Sequence, residues 1–206
     1  MTATTILLLR HADVHNPELL FYGRSPRFRI SELGIEQARF LAGMLSDEPL
    51  AAIYSSPMLR ARQTAAIVAE RHPEAHRHRV AALNEVRTGW KGAPPRSLPA
   101  RINLYEPPHS PGDETIADIW RRMERFLWRL ARRHGGETVA CVSHGDPIVI
   151  THAALRGLPL CLDSIRGDFY PQKCSVTRVT LAQGRPIAVS YRDVIGESAP
   201  ELRAPH

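Results

Sequence analysis

The chain is 206 residues long, 43% hydrophobic and 23% charged, with a formal net charge of +6. These proportions exclude a disordered or fibrous protein and match a globular one long enough to bury a core without disulfides or metals. No apolar run approaches the roughly 20 residues of a membrane span, and Ile6-Leu7-Leu8-Leu9 stops at Arg10-His11, short of the ~7–15-residue core of a secretory signal.

Thr4 to Leu9 reads as a buried strand feeding a loop. Asn16-Pro17, Gly23 and Pro26 mark residues 16–30 as loop, and Ser31 caps a helix with Ala38, Leu41 and Leu45 on one face. Ala51 to Tyr54 is a second short strand. Ser56-Pro57 then opens a helix, with serine as cap and proline in the first turn, that runs to about His72. A third strand is expected at Arg79–Leu83. Residues 86–112 carry Pro94, Pro95, Pro99, Pro107, Pro108 and Pro111, and so long a loop in a compact domain is expected to act as a lid. From Asp113 an amphipathic helix places Ile116, Ile119, Trp120, Met123, Leu127 and Leu130 at helical spacing and ends at Gly135-Gly136. Thr138 to Val142 is a fourth strand, Asp146-Pro147 starts another helix, and Val176–Leu181 with Ile187–Tyr191 form a hairpin. The tail from residue 196 is expected to fray. Alternating strands and helices predict one α/β domain over residues 1–195, with a mainly parallel sheet.

In open α/β sheets, ligands bind beyond the carboxyl ends of the strands. Those ends here offer Arg10, His11 and Asp13; Ser55, Ser56 and then Arg60; Asn84 and Glu85; and Ser143 with His144. Two arginines, two histidines and a carboxylate converge there, two of the ends opening helices whose N–H groups favour an anion. A phosphoryl-transfer site without a metal needs this set: cationic donors, a nucleophile and a proton donor for the leaving oxygen.

Leu9-Arg10-His11-Ala12-Asp13, Tyr54-Ser55-Ser56-Pro57-Met58-Leu59-Arg60-Ala61 with Gln63-Thr64-Ala65, Leu83-Asn84-Glu85, and Val142-Ser143-His144-Gly145-Asp146, with Gly34-x-x-Gln37-Ala38 between, resemble the histidine phosphatase superfamily, the phosphoglycerate mutase-like group with an Arg-His-Gly motif. The motifs occur in the family's order across nearly the whole chain. The resemblance implies a three-layer α/β/α sandwich and a metal-independent phosphatase needing no cofactor. In it, His11 becomes phosphohistidine, Arg10, Arg60 and His144 hold the phosphoryl oxygens, and Glu85 is the acid and base, with Asp13 the runner-up. The implied partner is a small phosphorylated metabolite. Ala12 and Asp13 depart from the family's Gly and Glu, and Arg27-Phe28-Arg29 replaces its Asp-x-Pro, adding charge expected at the pocket mouth and pointing to an acidic substrate.

Competing readings are a phosphoglycerate mutase and a non-catalytic phospho-ligand module. Val86-Arg87-Thr88-Gly89 after Glu85, where mutases carry Arg-His-Tyr-Gly and a longer insertion, favours hydrolysis. His72, His76 and His78 lack a Cys or carboxylate to complete a metal set, so a solvated tract is expected. His15 and His152 lie near motif residues without a role of their own. The arginines of the long helix lack interleaved aromatics, so a solvated face is expected in place of a nucleic-acid site. No GxSxG elbow or GxxxxGK loop is present. Cys141, Cys161 and Cys174 form no CxxC pair and leave at least one unpaired, the usage of a reducing cytoplasm. Of 27 basic residues only Lys91 and Lys173 are lysines; arginine grips phosphate bidentately, although genome base composition produces the same bias.

Overall fold

The computed structural model describes residues 2–94, 97, 103, 105, 108–166, 169–182 and 185–204. Among them, the strands β1 (Thr4–Arg10), β2 (Leu50–Ser55), β3 (His76–Arg79), β4 (Thr138–Ser143), β5 (Val176–Ala182) and β6 (Arg185–Arg192) form one sheet in the order β3-β2-β4-β1-β5-β6. The first four are mutually parallel; β5 runs antiparallel to β1 and β6 to β5, so the sheet is mixed. Successive side chains of a strand face opposite ways. Ile6 and Leu8 therefore meet α3 (Ile116–Arg133) and α4 (Gly145–Leu155), whereas Leu7 and Leu9 meet α1 (Glu32–Met44) and α2 (Leu59–Ala69). The result is the three-layer α/β/α sandwich implied by the motifs.

Local chemistry sets the helix ends. Ser31 Oγ accepts from the Gly34 amide to cap α1. Thr115 and Asp118 form a reciprocal capping box at α3, two residues inside the expected start. The α3 stripe of Ile116, Ile119, Met123, Phe126, Leu127 and Leu130 is buried.

Four expectations are corrected. Ser56 does not cap α2: Met58 holds that position without a side-chain bond, and the helix stops at Ala69. The third strand lies at His76–Arg79, where the sequence is charged, because an edge strand is protected by charge; the apolar Ala81–Leu83 winds into a 3-10 turn that buries Leu83. The described tail does not fray: α5 (Val194–Ser198) and a 3-10 turn at Pro200–Leu202 pack on α1, with Gln37 Nε2 donating to the Leu202 carbonyl at 2.7 Å. The long helix is not solvated all round its polar face, since Arg122 is drawn inward, as described below.

Much of the expected lid at 86–112, namely residues 95–96, 98–102, 104 and 106–107, lies outside the described residues. Its described parts lean on the loop after β1: the Phe21 amide donates to the Ala93 carbonyl at 2.9 Å and the Gly92 amide to the Phe21 carbonyl at 2.8 Å. No described helix is long and apolar enough to cross a membrane.

Candidate active site

The register Arg10↔Ser143 between parallel β1 and β4 puts the residues that follow, His11 and His144, side by side, and their ring centroids lie 5.1 Å apart. β2, paired to β4 on its other side, leads into α2, whose first turn carries Arg60 to the same point. Of the four strand ends offered by the sequence, three adjacent ones bring His11, Arg60 and His144 together, and Glu85 follows the 3-10 turn at Ala81–Leu83.

His11 is buried, and its Nδ1 lies 2.7 Å from the Ala12 carbonyl. A carbonyl only accepts, so Nδ1 carries the proton and Nε2 keeps its lone pair. Arg60 Nε donates to that lone pair at 3.1 Å. Burial holds the imidazole well below its ordinary pKa of 6.5, helped by the charges of Lys173, Arg60, His144 and Arg10. His11 is therefore neutral at pH 7 with Nε2 available for attack.

Arg60 is fully buried, its fork spread over the Gly23 carbonyl at 2.7 Å and the Ser25 carbonyl at 3.3 Å, with the Tyr22 ring 4.5 Å from its central carbon. Arg10 donates to the Pro171 carbonyl and lies 5.0 Å from the Tyr170 ring, with its Nε buried and without a partner among the described residues. His144 Nε2 sits 2.9 Å from Ser56 Oγ, which donates to Asn84 Oδ1 at 2.9 Å. Ser56 therefore accepts from His144, and the buried Nδ1 of His144 is left without a partner among the described residues. A buried nitrogen without a partner calls for a ligand.

Glu85 is buried and lines a cavity with Arg10, its Oε1 accepting from the Val86 amide at 3.0 Å. Burial, then the charge of Asp146, pushes its carboxyl from 4.5 up to about 7, against the pull of Arg60 and Arg10. Such a group can give and take a proton near neutrality. Its backbone is clamped from outside. Arg24 Nε donates to the Glu85 carbonyl at 2.6 Å, and Arg24 and Arg122 both pair with Glu114, at 2.7 and 2.9 Å. Arg122 also donates to the Ala82 carbonyl.

Asp13 is occupied elsewhere: its Oδ2 accepts from Ser31 Oγ at 2.7 Å and its amide donates to Gln37 Oε1 at 2.9 Å, which ties the loop after β1 to α1. Gln63 and Thr64 are likewise pins, accepting from the amides of Ile30 and Ala12 at 3.0 and 3.1 Å. Ala12 is buried outside the left-handed region, so the family's glycine is not needed there. Two glycines are needed for approach: a Cβ at Gly34 would strike the Asp13 carbonyl, and one at Gly145 would strike the Tyr170 hydroxyl.

A cavity of about 210 Å³ opens beside Arg10 and Glu85, walled by Leu20, Phe21, Tyr22, Asp146, Arg166 and Tyr170. Arg27 and Arg29 are exposed and line neither this cavity nor the larger one behind Arg10; Arg29 instead lies 3.7 Å from Glu32. The cation at the mouth is Arg166, 3.9 Å from Asp146, whose Oδ1 accepts from the Tyr170 hydroxyl at 2.9 Å. Sequence reasoning missed Tyr22, Asp146, Arg166, Tyr170 and Lys173. Asp146 had a signal, since it directly follows Ser143-His144-Gly145, but its proline neighbour suggested only a helix start. His152 stacks on Phe169, 4.3 Å away, in a separate cavity. His78 stacks on Tyr54, and no group of three potential metal ligands occurs among the described residues.

A neutral imidazole whose lone pair accepts from a fully buried guanidinium, with a carboxyl that titrates near neutrality close by, thus sits where the strand ends of an α/β sheet converge. The pattern of the histidine phosphatase superfamily (branch 1) matches residues 6–194, and the chain belongs to that family. It is 32% identical over 183 residues to an uncharacterized protein of Mycobacterium tuberculosis, covering 86% of this chain and 88% of that one. It is also 32% identical over 166 residues to phosphoserine phosphatase 1 of Hydrogenobacter thermophilus, covering 75% and 77%. Among solved structures, Bacillus stearothermophilus YhfR superposes with a TM-score of 0.77 at 26% identity, covering 91% of this chain and 95% of that one.

Proposed function

We propose that this protein is a cytoplasmic, metal-independent phosphomonoesterase that transfers the phosphoryl group of a small metabolite to His11 Nε2 and then to water. The observation that carries the reading is the His11 tautomer: Nδ1–H is locked on the Ala12 carbonyl and the Nε2 lone pair is presented to Arg60. In the first half-reaction the Nε2–P bond forms as the ester P–O bond breaks, and Glu85 gives its proton to the leaving oxygen. In the second, Glu85 takes a proton from water, the new P–O bond forms and the N–P bond breaks. Arg10 and Arg60 hold the equatorial oxygens, and His144, its ring 5.1 Å from that of His11, lines the same phosphoryl pocket. Splitting the hydrolysis into two displacements lowers each barrier.

The cavity supports a small substrate: about 210 Å³ is below the 300–1,000 Å³ typical of drug-sized ligands. Arg166 at its mouth favours an ester with a second anionic group, and the phosphoserine phosphatase relative is consistent with this size and charge. Phosphate release from p-nitrophenyl phosphate in excess EDTA tests the reading. Turnover by the wild type and none by His11→Ala is the expected result; an EDTA-silenced enzyme or an active His11→Ala would overturn it.

A further inference from the structure

Lys173, one of only two lysines in the chain, sits where no sequence motif points. The backbone places it deliberately. The Arg10 amide donates to the Ser175 carbonyl at 3.2 Å and the Cys174 amide donates to the Arg10 carbonyl at 3.1 Å, so the segment entering β5 is laced to the end of β1. Cys174 adopts φ +56, a conformation that a non-glycine residue takes at a cost and that persists at sites whose surroundings demand it. This turn brings Lys173 against Tyr22, its Nζ 5.9 Å from the ring centroid. Its Nζ donates to the Tyr22 hydroxyl at 3.2 Å; the Tyr22 ring covers Arg60, which in turn donates to His11 Nε2. Lys173 also borders a cavity of about 530 Å³ behind Arg10.

We propose that Lys173 is a further positioning residue of the phosphoryl centre, a third cation that holds Tyr22 against Arg60 and takes up a proton when an oxyanion occupies the site. The inference rests on the phosphoryl-binding reading above, but not on turnover. Among the charges acting on the His11 ring, that of Lys173 is the strongest, ahead of Arg60, His144 and Arg10. Burial and the neighbouring cations Arg10 and Arg60 bring Lys173 down from 10.5 to about 7, against the pull of Asp13. Asp193 and Arg203 face it across the cavity, already paired with each other at 2.8 Å. In the empty site its charge is therefore half present at neutral pH. A bound dianion compensates the crowding of cations and draws the proton in from solvent.

Other titrating groups nearby are out of the way. His11 and His144 are held well below 6.5 by burial, and burial raises Tyr22 above 10.0. Glu85 alone overlaps, so a Glu85→Gln background isolates Lys173. The test is sulfate binding, followed between pH 6 and 9 by the ring-proton NMR shifts of His11 and His144, with calorimetry for affinity; sulfate keeps its charge across this range. In Glu85→Gln the affinity falls about tenfold per pH unit above about pH 7, one proton's worth. Adding Lys173→Arg, whose guanidinium keeps its charge, removes the fall. Adding Lys173→Met weakens binding at pH 6 on the order of ten- to a hundredfold, the worth of an interaction with a charged donor, and leaves it pH-independent.

Lys173→Met binding sulfate as tightly as its parent at pH 6 overturns the proposal. So does an alkaline fall that survives Lys173→Arg, a variant that decides the matter even where Lys173→Met fails to fold. Lys173-dependent sulfate binding without phosphate release would sink the hydrolase reading alone; phosphate release with Lys173-independent binding would sink this proposal alone.

Discussion

Replacing Glu85 with glutamine separates chemistry from stability at one position. The amide keeps the shape and can still accept from Val86, but it cannot give a proton to a leaving oxygen. Wild-type Glu85 titrates at about 7 in place of 4.5. At pH 7 about half of it is therefore protonated, whereas an unshifted carboxyl would be protonated in roughly 0.3% of molecules. Burial and Asp146 thus raise the active fraction on the order of a hundredfold, and kcat/KM should decline as pH rises through about 7. Glu85→Gln should lower kcat/KM, which reports the phosphorylation step, for an alkyl phosphate by about 10²–10⁴ and abolish that dependence on Glu85, with a much smaller loss for p-nitrophenyl phosphate, whose leaving group needs no proton.

The same shift acts on stability. A carboxyl whose folded pKa is raised favours the fold below its unfolded value, and that contribution is lost as pH rises through the folded one. The shift from 4.5 to about 7 corresponds to up to about 3 kcal/mol by pH 8. Glu85→Gln should therefore raise Tm at pH 8 and leave it nearly unchanged at pH 4, read by circular dichroism melts. An equal loss of kcat/KM on alkyl and nitrophenyl esters would refute the acid role and move it elsewhere in the site.

Arg60→Ala should cost on the order of 10²–10³ in kcat through loss of one oxyanion donor, and Arg60→Lys should not restore it, because the fork over Gly23 and Ser25 is planar. Stopped-flow or steady-state phosphate release reads both variants. Thr115→Ala removes the α3 cap beside Glu114 and should lower stability by ~0.5–2 kcal/mol, read by urea titration. Cys141 and Cys174 are buried and Cys161 is exposed, so Ellman's reagent should titrate one thiol in the native protein and three after denaturation; fast reaction of all three would contradict the packing.

The sequence announced the parallel core and the residues at its strand ends because both leave strong local marks. Apolar runs of strand length stop at charged or polar residues, and the register of β1 with β4 then makes His11 and His144 neighbours. What it concealed is set by partners distant along the chain. Ser56 looks like a helix cap, but its hydroxyl is used by Asn84 and His144. Arg122 lies on a face that reads as solvated, yet Glu114 and the Ala82 carbonyl draw it in. β3 carries charge where a strand search looks for apolar alternation, because it closes the sheet's edge. Lys173 has no pattern at all: its position depends on the turn at Cys174 and on backbone bonds to Arg10.

The covalent role of His11 is open to direct measurement. Enzyme mixed with a phosphomonoester and quenched within a turnover, then digested and mapped by mass spectrometry, should carry one acid-labile phosphoryl group on the peptide containing His11, and none in His11→Ala. Turnover with that peptide unmodified at every quench time, together with an active His11→Ala, would contradict the account.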